Sequence, residues 1–423
     1  MSELENRRDR LFASMKENSA LILFSGVGKI CSEDEFFPFQ SNRNFFYLTN
    51  IEQDHSALVL VKGIGGKSTY LFIDEFNEVK EKWTGKRLSF EMAESISSIR
   101  SVYSMNSLES MLSLILAKDN NQYGNITTLY VDLSPELKIG ESLSTIEYAK
   151  NLNAEYPHVE VENAYPLVRD LRMIKSQEEI ENIVRAIELT NTGICQMLIN
   201  LKPGLYEYGL SDMFEFYGRS HERHPLAFST IVAAGPSATC LHHPIEQQNA
   251  LIKDNELVLF DLGYSHNGYS ADISRTYPVN GHYSGTQKLI YQAVLECNKA
   301  VIEYVKPGLT IADLQEYAKE FLKKKCVEFK LMTEDEDIVK YYYHNVSHHL
   351  GLDTHDASVR ERPLENGNVF TVEPGLYFAK FGIGVRIEDD VLLQDGRAVV
   401  LSKCIAKEMS DIEKLFATRG NKF

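Results

Sequence analysis

The sequence predicts a mixed α/β (α+β) protein of two domains, the second of which contains two similar halves. At 423 residues the chain is longer than one typical domain, since domains usually hold roughly 100 to 200 residues. Short apolar runs of strand length alternate with segments of helical period in the first part of the chain. A pattern of helix, Lys-Pro-Gly-Leu and helix occurs at Lys202 and again at Lys306, which indicates a repeat.

The first domain is predicted to span residues 1–170. Its strands are expected at Ala20–Phe24, Ala57–Val61 and Thr128–Val131, and the segment Phe90–Ile99 has helical period. Strands that alternate with helices in this way indicate a mixed α/β domain.

The second domain, residues 171–423, is expected to open with a long helix. Ser176 and Glu179 have the spacing of a capping box, and Pro203-Gly204 ends the helical pattern. The N-terminus of the helix therefore lies close to the predicted domain boundary.

Two strand segments of the second domain also resemble each other. LVLFDLG begins at Leu257 and VFTVEPG at Val369; in each, a carboxylate ends an apolar strand just before a glycine, and a second carboxylate follows on the next strand. The pairs are Asp261 with Asp272, and Glu373 with Glu388. Lys-Pro-Gly is a common end to a helix, so chance remains an alternative, but the matching acids favour duplication. A pseudo-twofold axis would bring the four acids together.

Composition excludes several classes of protein. The chain is 43% hydrophobic and 25% charged, as in ordinary globular proteins, and no apolar run approaches the length of about 18 residues that a membrane helix needs. A net charge of −16 disfavours a nucleic-acid partner. The N-terminus lacks the apolar run of a signal peptide. The six cysteines form no Cys-x-x-Cys pair, which favours reduced thiols and a cytoplasmic location.

The four acids indicate a metal site. An unpaired charge in an apolar strand is costly or is neutralised by a proton. A single acid could form a buried ion pair, Asp272 with Arg275 or Glu388 with Arg386, but these strands hold too few basic residues for all four. Two divalent cations would neutralise them. Oxygen-rich ligation favours Mn, Mg, Fe or Co over a thiolate-type zinc site.

Four histidines lie in the stretch YYYHNVSHHLGLDTHD, which starts at Tyr341. In an extended conformation, His344 and His348 share one face and His349 lies on the other. We therefore expect His344 and His348 near the acids and a structural role for His349. His355 lies beyond a glycine, in a segment that could turn its imidazole toward a substrate.

These motifs resemble the metal-dependent, proline-specific peptidases with the pita-bread fold, peptidase family M24, which include Xaa-Pro aminopeptidase (aminopeptidase P) and prolidase. The resemblance covers nearly the whole chain. The five metal ligands of the family motif are matched in order by Asp261, Asp272, His348, Glu373 and Glu388. The accessory positions are matched by His242 in CLHHP, His355 in GLDTHD, His344 and Arg386.

The N-terminal part resembles the family's first domain in the segments NRRDRLFASM, FPFQSNRNFFYLTNIE and KWTGKRL. The last of these contains Trp83, the one tryptophan in the chain. In oligomeric relatives the corresponding residue reaches a neighbouring subunit; a partly buried anchoring aromatic is the alternative.

The resemblance implies hydrolysis of the bond between an N-terminal residue and a penultimate proline by a hydroxide that bridges two metal ions. The expected metal is Mn²⁺, with Co²⁺, Fe²⁺ and Zn²⁺ as alternatives. Asp261 would chelate one ion, and His348 with Glu373 would complete the other. Asp272 and Glu388 would bridge both. Glu373 would also carry the proton, while His242 and His355 would donate to the oxyanion and position the peptide.

Relatives with other activities provide the alternatives. Prolidase accepts only dipeptides, whereas the Arg-rich start, WTGKRL and SHHLGLDTHD favour aminopeptidase P. Methionine aminopeptidase normally lacks a large N-terminal domain of this kind, and creatinase-like relatives lack the metal ligands. A non-catalytic pita-bread module that binds proteins is an alternative of a different class. The expected partners are peptides with proline at the second position, and the expected assembly is a homodimer or homotetramer.

Overall fold

The computed structural model describes residues 2–118, 122–133, 139, 143–220 and 225–418. The chain divides into two compact units, Met1–Arg172 and Met173–Phe423. Both units combine helices with sheets, so the predicted mixed α/β class is confirmed. Across these described ranges, every helix is too short or too polar to cross a bilayer.

The first unit is built on a six-stranded sheet. The strands of this unit are β1 (Ser19–Phe24), β2 (Ile30–Ser32), β3 (Glu35–Phe36), β4 (Ala57–Gly63), β5 (Gly66–Ile73), β6 (Val102–Ser104), β7 (Thr128–Val131) and β8 (Glu160–Asn163). Strands β2 and β3 form a separate hairpin, and the other six form the sheet. Its helices are α1 (Glu3–Ser14), α2 (Arg43–Thr49), α3 (Glu78–Thr84), α4 (Phe90–Ser97), α5 (Leu108–Leu116), α6 (Thr145–Glu155) and α7 (Tyr165–Met173).

The sheet order is β6-β5-β4-β1-β7-β8. Strand β1 pairs antiparallel with β4 and parallel with β7, and it is buried along its whole length because its sequence is almost entirely apolar. The three strands predicted for this domain are confirmed. The predicted helix at Phe90–Ile99 ends at Ser97, because Ser98 adopts a left-handed conformation that caps it.

Trp83 lies in α3 with 77% of its side chain exposed. The alternative of a partly buried anchoring aromatic is therefore wrong for this unit.

The second unit contains two pairs of long helices and two groups of short strands. Its helices are α8 (Gln177–Asn200), α9 (Glu207–Ser220), α10 (Gly285–Tyr304), α11 (Ile311–Glu328) and α12 (Met409–Thr418). Its strands are β9 (Ile231–Ala234), β10 (Leu257–Leu262), β11 (Ser265–His266), β12 (Tyr269–Ser270), β13 (Ile273–Pro278), β14 (Val369–Val372), β15 (Gly375–Phe378), β16 (Ile383–Arg386), β17 (Asp389–Gln394) and β18 (Arg397–Val400).

The helices follow the predicted repeat. Ser176 and Glu179 form both hydrogen bonds of a capping box at the start of α8. One Lys-Pro-Gly-Leu segment joins α8 to α9, and the other joins α10 to α11. The repeated helix pattern in the sequence thus corresponds to two helical hairpins.

The strands repeat in the same way. Strand β10 pairs antiparallel with β13, and the short β11–β12 hairpin lies between them in the chain. Strand β14 likewise pairs with β17, with the β15–β16 hairpin between them. The four acids lie where the longer pair passes into the shorter hairpin: Asp261 and Asp272 in the first half, and Glu373 and Glu388 in the second.

A glycine two residues after the first acid of each pair permits a close approach at this junction. A Cβ atom on Gly263 would lie 1.9 Å from the carbonyl oxygen of Ala271. On Gly375 it would lie 2.5 Å from the hydroxyl oxygen of Tyr377 and 3.0 Å from Nε2 of His344. Because the absence of a side chain makes these contacts possible, the two glycines shape the backbone around the acids.

We expect Gly263→Ala to lower the free energy of unfolding by about 1–3 kcal/mol, because the added methyl group would overlap backbone that cannot easily move. Urea denaturation of the purified chain measures this change. Gly209→Ala, in α9, is the matched control: a Cβ atom there would have no described atom within 4 Å, so the variant should be as stable as the parent or slightly more stable. Equal stability of the two variants would contradict this account of the junction.

Candidate metal centre

The structure brings the predicted site residues around one cavity of about 300 Å³ in the second unit. All nine line it: His242, Asp261, Asp272, His344, His348, His355, Glu373, Arg386 and Glu388. Potential ligand atoms of Asp272, His348 and Glu388 lie within 4.8 Å of one another. His348 Nε2 is 3.3 Å from an oxygen of Asp272 and 3.6 Å from one of Glu373. Acids from both hairpins and one histidine therefore converge.

The histidine segment runs alongside β14 without forming a regular strand. The N–H of Glu373 donates to the carbonyl of Val346 at 2.8 Å, and that of Thr371 donates to the carbonyl of His348 at 2.9 Å. This extended backbone turns His348 toward the acids and leaves His349 1% exposed. The segment is extended, as expected, but it forms a single bridge, between His349 and Phe370, and no regular strand.

His349 is a neutral core residue. Burial lowers its pKa to about 3, and neither ring nitrogen has a hydrogen-bond partner in the described part of the chain. This placement agrees with the structural role expected for it.

His348 is oriented so that Nε2 faces the acids. Its Nδ1 lies 3.1 Å from the carbonyl oxygen of His349, which fixes the ring. Burial opposes a charge here, but hydrogen bonding to Asp272 and the nearby Glu373 raise the pKa of His348 to about 9. Without a metal ion the imidazole is therefore protonated at neutral pH, and a metal ion that binds Nε2 must displace that proton.

The acids repel one another in a buried space. Burial, reinforced by Asp272 and Asp261, raises the pKa of Glu373 to about 7. Burial and the neighbouring acids also raise the pKa of Glu388 well above its ordinary value. For the same reasons, without a cation these groups bind protons in place of ionising.

Among the described residues, a single guanidinium reaches the four acids. Arg386 donates to Asp261 at 2.5 Å, while Arg275 pairs with Asp389 at 2.8 Å. The ion pairs considered from sequence, Asp272 with Arg275 and Glu388 with Arg386, are therefore not those that form. Which acid each arginine meets depends on how β13, β16 and β17 pack against one another, and sequence spacing does not reveal that packing.

These residues fit divalent cations. Within the described part of the chain, one oxygen of Asp261 and one of Glu388 are buried and accept no hydrogen bond. Buried carboxylate oxygens that lack donors are costly unless a cation neutralises them. The set of oxygen donors with one imidazole suits Mn²⁺-type ions better than thiolate-preferring ones.

A hydrogen-bonded chain supports the cluster from one side. Arg386 donates to the hydroxyl of Tyr377 at 3.1 Å, and that hydroxyl is 2.9 Å from Nε2 of His344. Burial, followed by the charge of Arg386, lowers the pKa of His344 to about 3, so the ring is neutral. Its Nδ1 lies 2.8 Å from the carbonyl oxygen of Asn345 and 3.6 Å from Glu373. His344 thus borders the cluster and orients its neighbours.

Sequence reasoning missed Tyr377. The signal was available, because strand alternation places it on the same face as Gly375, which follows Glu373 by two residues.

Sequence reasoning also missed Asn298, a fully buried residue of α10. Its Nδ2 donates to the carbonyl oxygens of Val372 at 3.1 Å and Ile387 at 3.4 Å, the residues immediately before Glu373 and Glu388. Lys407 donates to its Oδ1 at 2.7 Å and so fixes the orientation of the amide. One side chain therefore connects the two strands that carry the second acid pair. An asparagine on the apolar face of a helix was the only sign in the sequence.

The two adjacent histidines of CLHHP have different surroundings. His243 is buried, and its Nε2 lies 3.2 Å from an oxygen of the buried Glu207. His242 is exposed and lines the metal cavity. The ring of His355 lies beside that of His348, tilted by 45° with the centroids 4.1 Å apart. His242 and His355 thus border the cavity, whereas His243 is satisfied within the fold.

Comparisons with known proteins agree with this geometry. Residues 181–395 match the model of metallopeptidase family M24, and residues 4–123 match that of the aminopeptidase P N-terminal domain. The chain is 33% identical to the Xaa-Pro aminopeptidase of Haemophilus influenzae, over 98% of this chain and 96% of the relative. A Bacillus anthracis structure assigned to aminopeptidase P is 41% identical, with a TM-score of 0.92 and 98% of each chain covered.

Zinc-substituted aminopeptidase P from Escherichia coli, solved in complex with product, superposes with a TM-score of 0.88 at 26% identity and 99% coverage of each chain. The matches extend through both units and include the segments that carry the acids and the histidines. The chain belongs to metallopeptidase family M24.

Proposed function

We propose that the chain is a metal-dependent Xaa-Pro aminopeptidase, which hydrolyses the bond between an N-terminal residue and a penultimate proline. The observation that carries this conclusion is the buried group of four carboxylates and His348, in a chain whose similarity to Xaa-Pro aminopeptidases extends over nearly its whole length. The Xaa-Pro amide lacks an N–H, so recognition must use the shape of the proline ring.

The proposed ligands of two divalent ions, with Mn²⁺ as the preferred metal, are Asp261, Asp272, His348, Glu373 and Glu388. Such ions, when bound, supply a nucleophilic water near neutral pH by lowering its pKa. The residues of the chain supply the fixed geometry: Ser274 donates to Glu388 at 2.8 Å, and Arg386 holds Asp261.

Glu373 is the proposed proton carrier. Its carboxylate lies between His344 and His348, at 3.6 Å from a ring nitrogen of each. A carboxylate beside the attacking water can accept its proton during attack and donate it to the departing proline nitrogen. His344, whose pKa burial lowers to about 3, competes only weakly for that proton.

His242 and His355 are the proposed donors to the developing oxyanion and to the peptide backbone. Both line the cavity that the five proposed ligands also line. Neither ring is among the proposed metal ligands, so each is free to contact substrate.

A cytoplasmic location and a homodimeric or homotetrameric assembly are also proposed. The location is supported by the six cysteines, which are all free thiols. The assembly is supported by the family resemblance and by the exposed indole of Trp83.

Asn298→Ala should weaken Mn²⁺ binding by roughly 10- to 100-fold, because the strands that carry Glu373 and Glu388 lose their shared donor. Isothermal titration of the metal-free chain measures this change. Asn200→Ala, at an exposed position, is the control and should bind Mn²⁺ as the parent does. Unaltered affinity in a folded Asn298→Ala protein would refute a role in positioning.

His355→Ala should keep its metal content while kcat falls by about 10²- to 10³-fold, because an oxyanion donor is lost without loss of a ligand. Elemental analysis and steady-state kinetics of the same preparation separate these two effects. A matching loss of metal would show that the division between ligands and donors is mistaken.

Peptide length distinguishes the proposed activity from that of a dipeptidase. We expect the Mn²⁺-loaded chain to release the first residue of Arg-Pro-Pro and to leave Arg-Ala-Pro essentially intact, as followed by chromatography of the products. Cleavage of Ala-Pro without cleavage of Arg-Pro-Pro would assign the chain to prolidase. Absence of any cleavage by metal-loaded protein would favour a binding module.

A further inference from the structure

A second cavity adjoins the metal cavity, and we propose that it receives an arginine or lysine side chain at the first position of the substrate, with Glu246 as the counter-ion. This inference rests on the proposed function and deepens it, since it names the class of peptide preferred. It assigns Glu246 as a specificity-determining residue outside the reacting groups.

The position of the second cavity connects it to the chemistry. It has a volume of about 480 Å³ and shares four lining residues with the metal cavity: His242, Asp261, Asp272 and His355. A group that fills it therefore lies directly beside the acids. The first residue of the substrate carries the carbonyl that is attacked. Its side chain is attached to the adjacent carbon atom, so it must occupy space directly beside the reacting centre.

The walls of this cavity suit a long aliphatic stem. Phe228, Ile231 and Ile245 contribute apolar surface. Arginine and lysine side chains pack their methylene groups on such surfaces and keep the charged end in a polar region.

The charge of the cavity selects a cation. Glu246 lies in a short turn of helix, Ile245–Gln247, with an exposed side chain, and its carboxylate has no ion-pair partner within the described ranges. Among the residues that the structure describes, no lysine or arginine lines the cavity. The charges of Asp261 and Asp272 on the shared wall are balanced by Arg386 and by bound metal, so among the described lining residues Glu246 is the acid left without a counter-ion. A cation gains from this field, whereas an acidic side chain is repelled.

A neighbouring glutamate, Glu207, has a structural role and provides a comparison for Glu246. Glu207 is 0% exposed, accepts a hydrogen bond from the N–H of Ala234 at 2.7 Å and contacts His243. Its bonding capacity is used within the fold. Glu246 has no comparable bonds to other described residues, so its charge is available to a ligand.

The test compares kcat/KM for Arg-Pro-Pro, Leu-Pro-Pro and Glu-Pro-Pro with the Mn²⁺-loaded full chain. The parent should prefer the arginine peptide over the glutamate peptide. Glu246→Gln should lower kcat/KM for Arg-Pro-Pro by roughly two- to fivefold, as expected for a solvent-accessible ion pair, with little change for Leu-Pro-Pro. Glu246→Lys should make Glu-Pro-Pro a better substrate than Arg-Pro-Pro. Activity on Leu-Pro-Pro verifies that both variants fold and bind metal.

Glu334→Gln is the matched control, because Glu334 is also exposed in the second unit but lines neither cavity. It should leave all three rates unchanged. The preference of the parent for arginine should also weaken as salt is raised, since an accessible ion pair is screened. An Arg-to-Leu ratio that is the same in the parent and both Glu246 variants would overturn this inference alone. Failure of the parent to cleave any of the peptides would overturn the proposed function together with it.

Discussion

The repulsion among four carboxylates gathered at one cavity is the constraint on which the rest of the second unit depends. Asp261, Asp272, Glu373 and Glu388 line one cavity, and a single guanidinium among the described residues, that of Arg386, reaches them. Burial and mutual repulsion favour proton binding, as the raised pKa values of Glu373 and Glu388 show. The fold must hold these groups together against their repulsion, and a divalent cation removes that cost. The same repulsion therefore lowers the stability of the metal-free unit and favours the binding of metal.

The duplicated hairpins provide the rigidity that this constraint requires. Each half places its two acids where a longer strand pair passes into a short hairpin, and a glycine allows the backbone to close there. Buried polar residues then hold the junction together, both between the halves and within the second one. Ser274 joins Glu388 to Arg386, and Asn298 joins the strands that precede Glu373 and Glu388. Arg275 contacts the carbonyl oxygen of Glu388 and the side chain of Asp389, which adds support behind the site.

Much of this arrangement could be predicted from sequence because it depends on local patterns. The capping box at Ser176, the strands of the first unit and the repeated acids are all encoded by spacing and periodicity. Contacts between distant segments could not be predicted. The pairing of Arg386 with Asp261 joins residues 125 positions apart, and the bonds of Asn298 extend over 74 and 89 positions. The histidine segment illustrates both cases: alternation separated His348 from His349, but pairing with β14 is too limited to form a regular strand.

The most direct test of this electrostatic constraint is calorimetric titration of Mn²⁺ into the metal-free chain at pH 6, repeated in buffers with different ionisation enthalpies. We expect two ions per chain and a net release of protons, because Glu373, with a pKa of about 7, and His348, with a pKa of about 9, must lose protons to bind metal. Absence of tight binding, or binding at pH 6 without proton release, would contradict the dependence of the site on its buried charges.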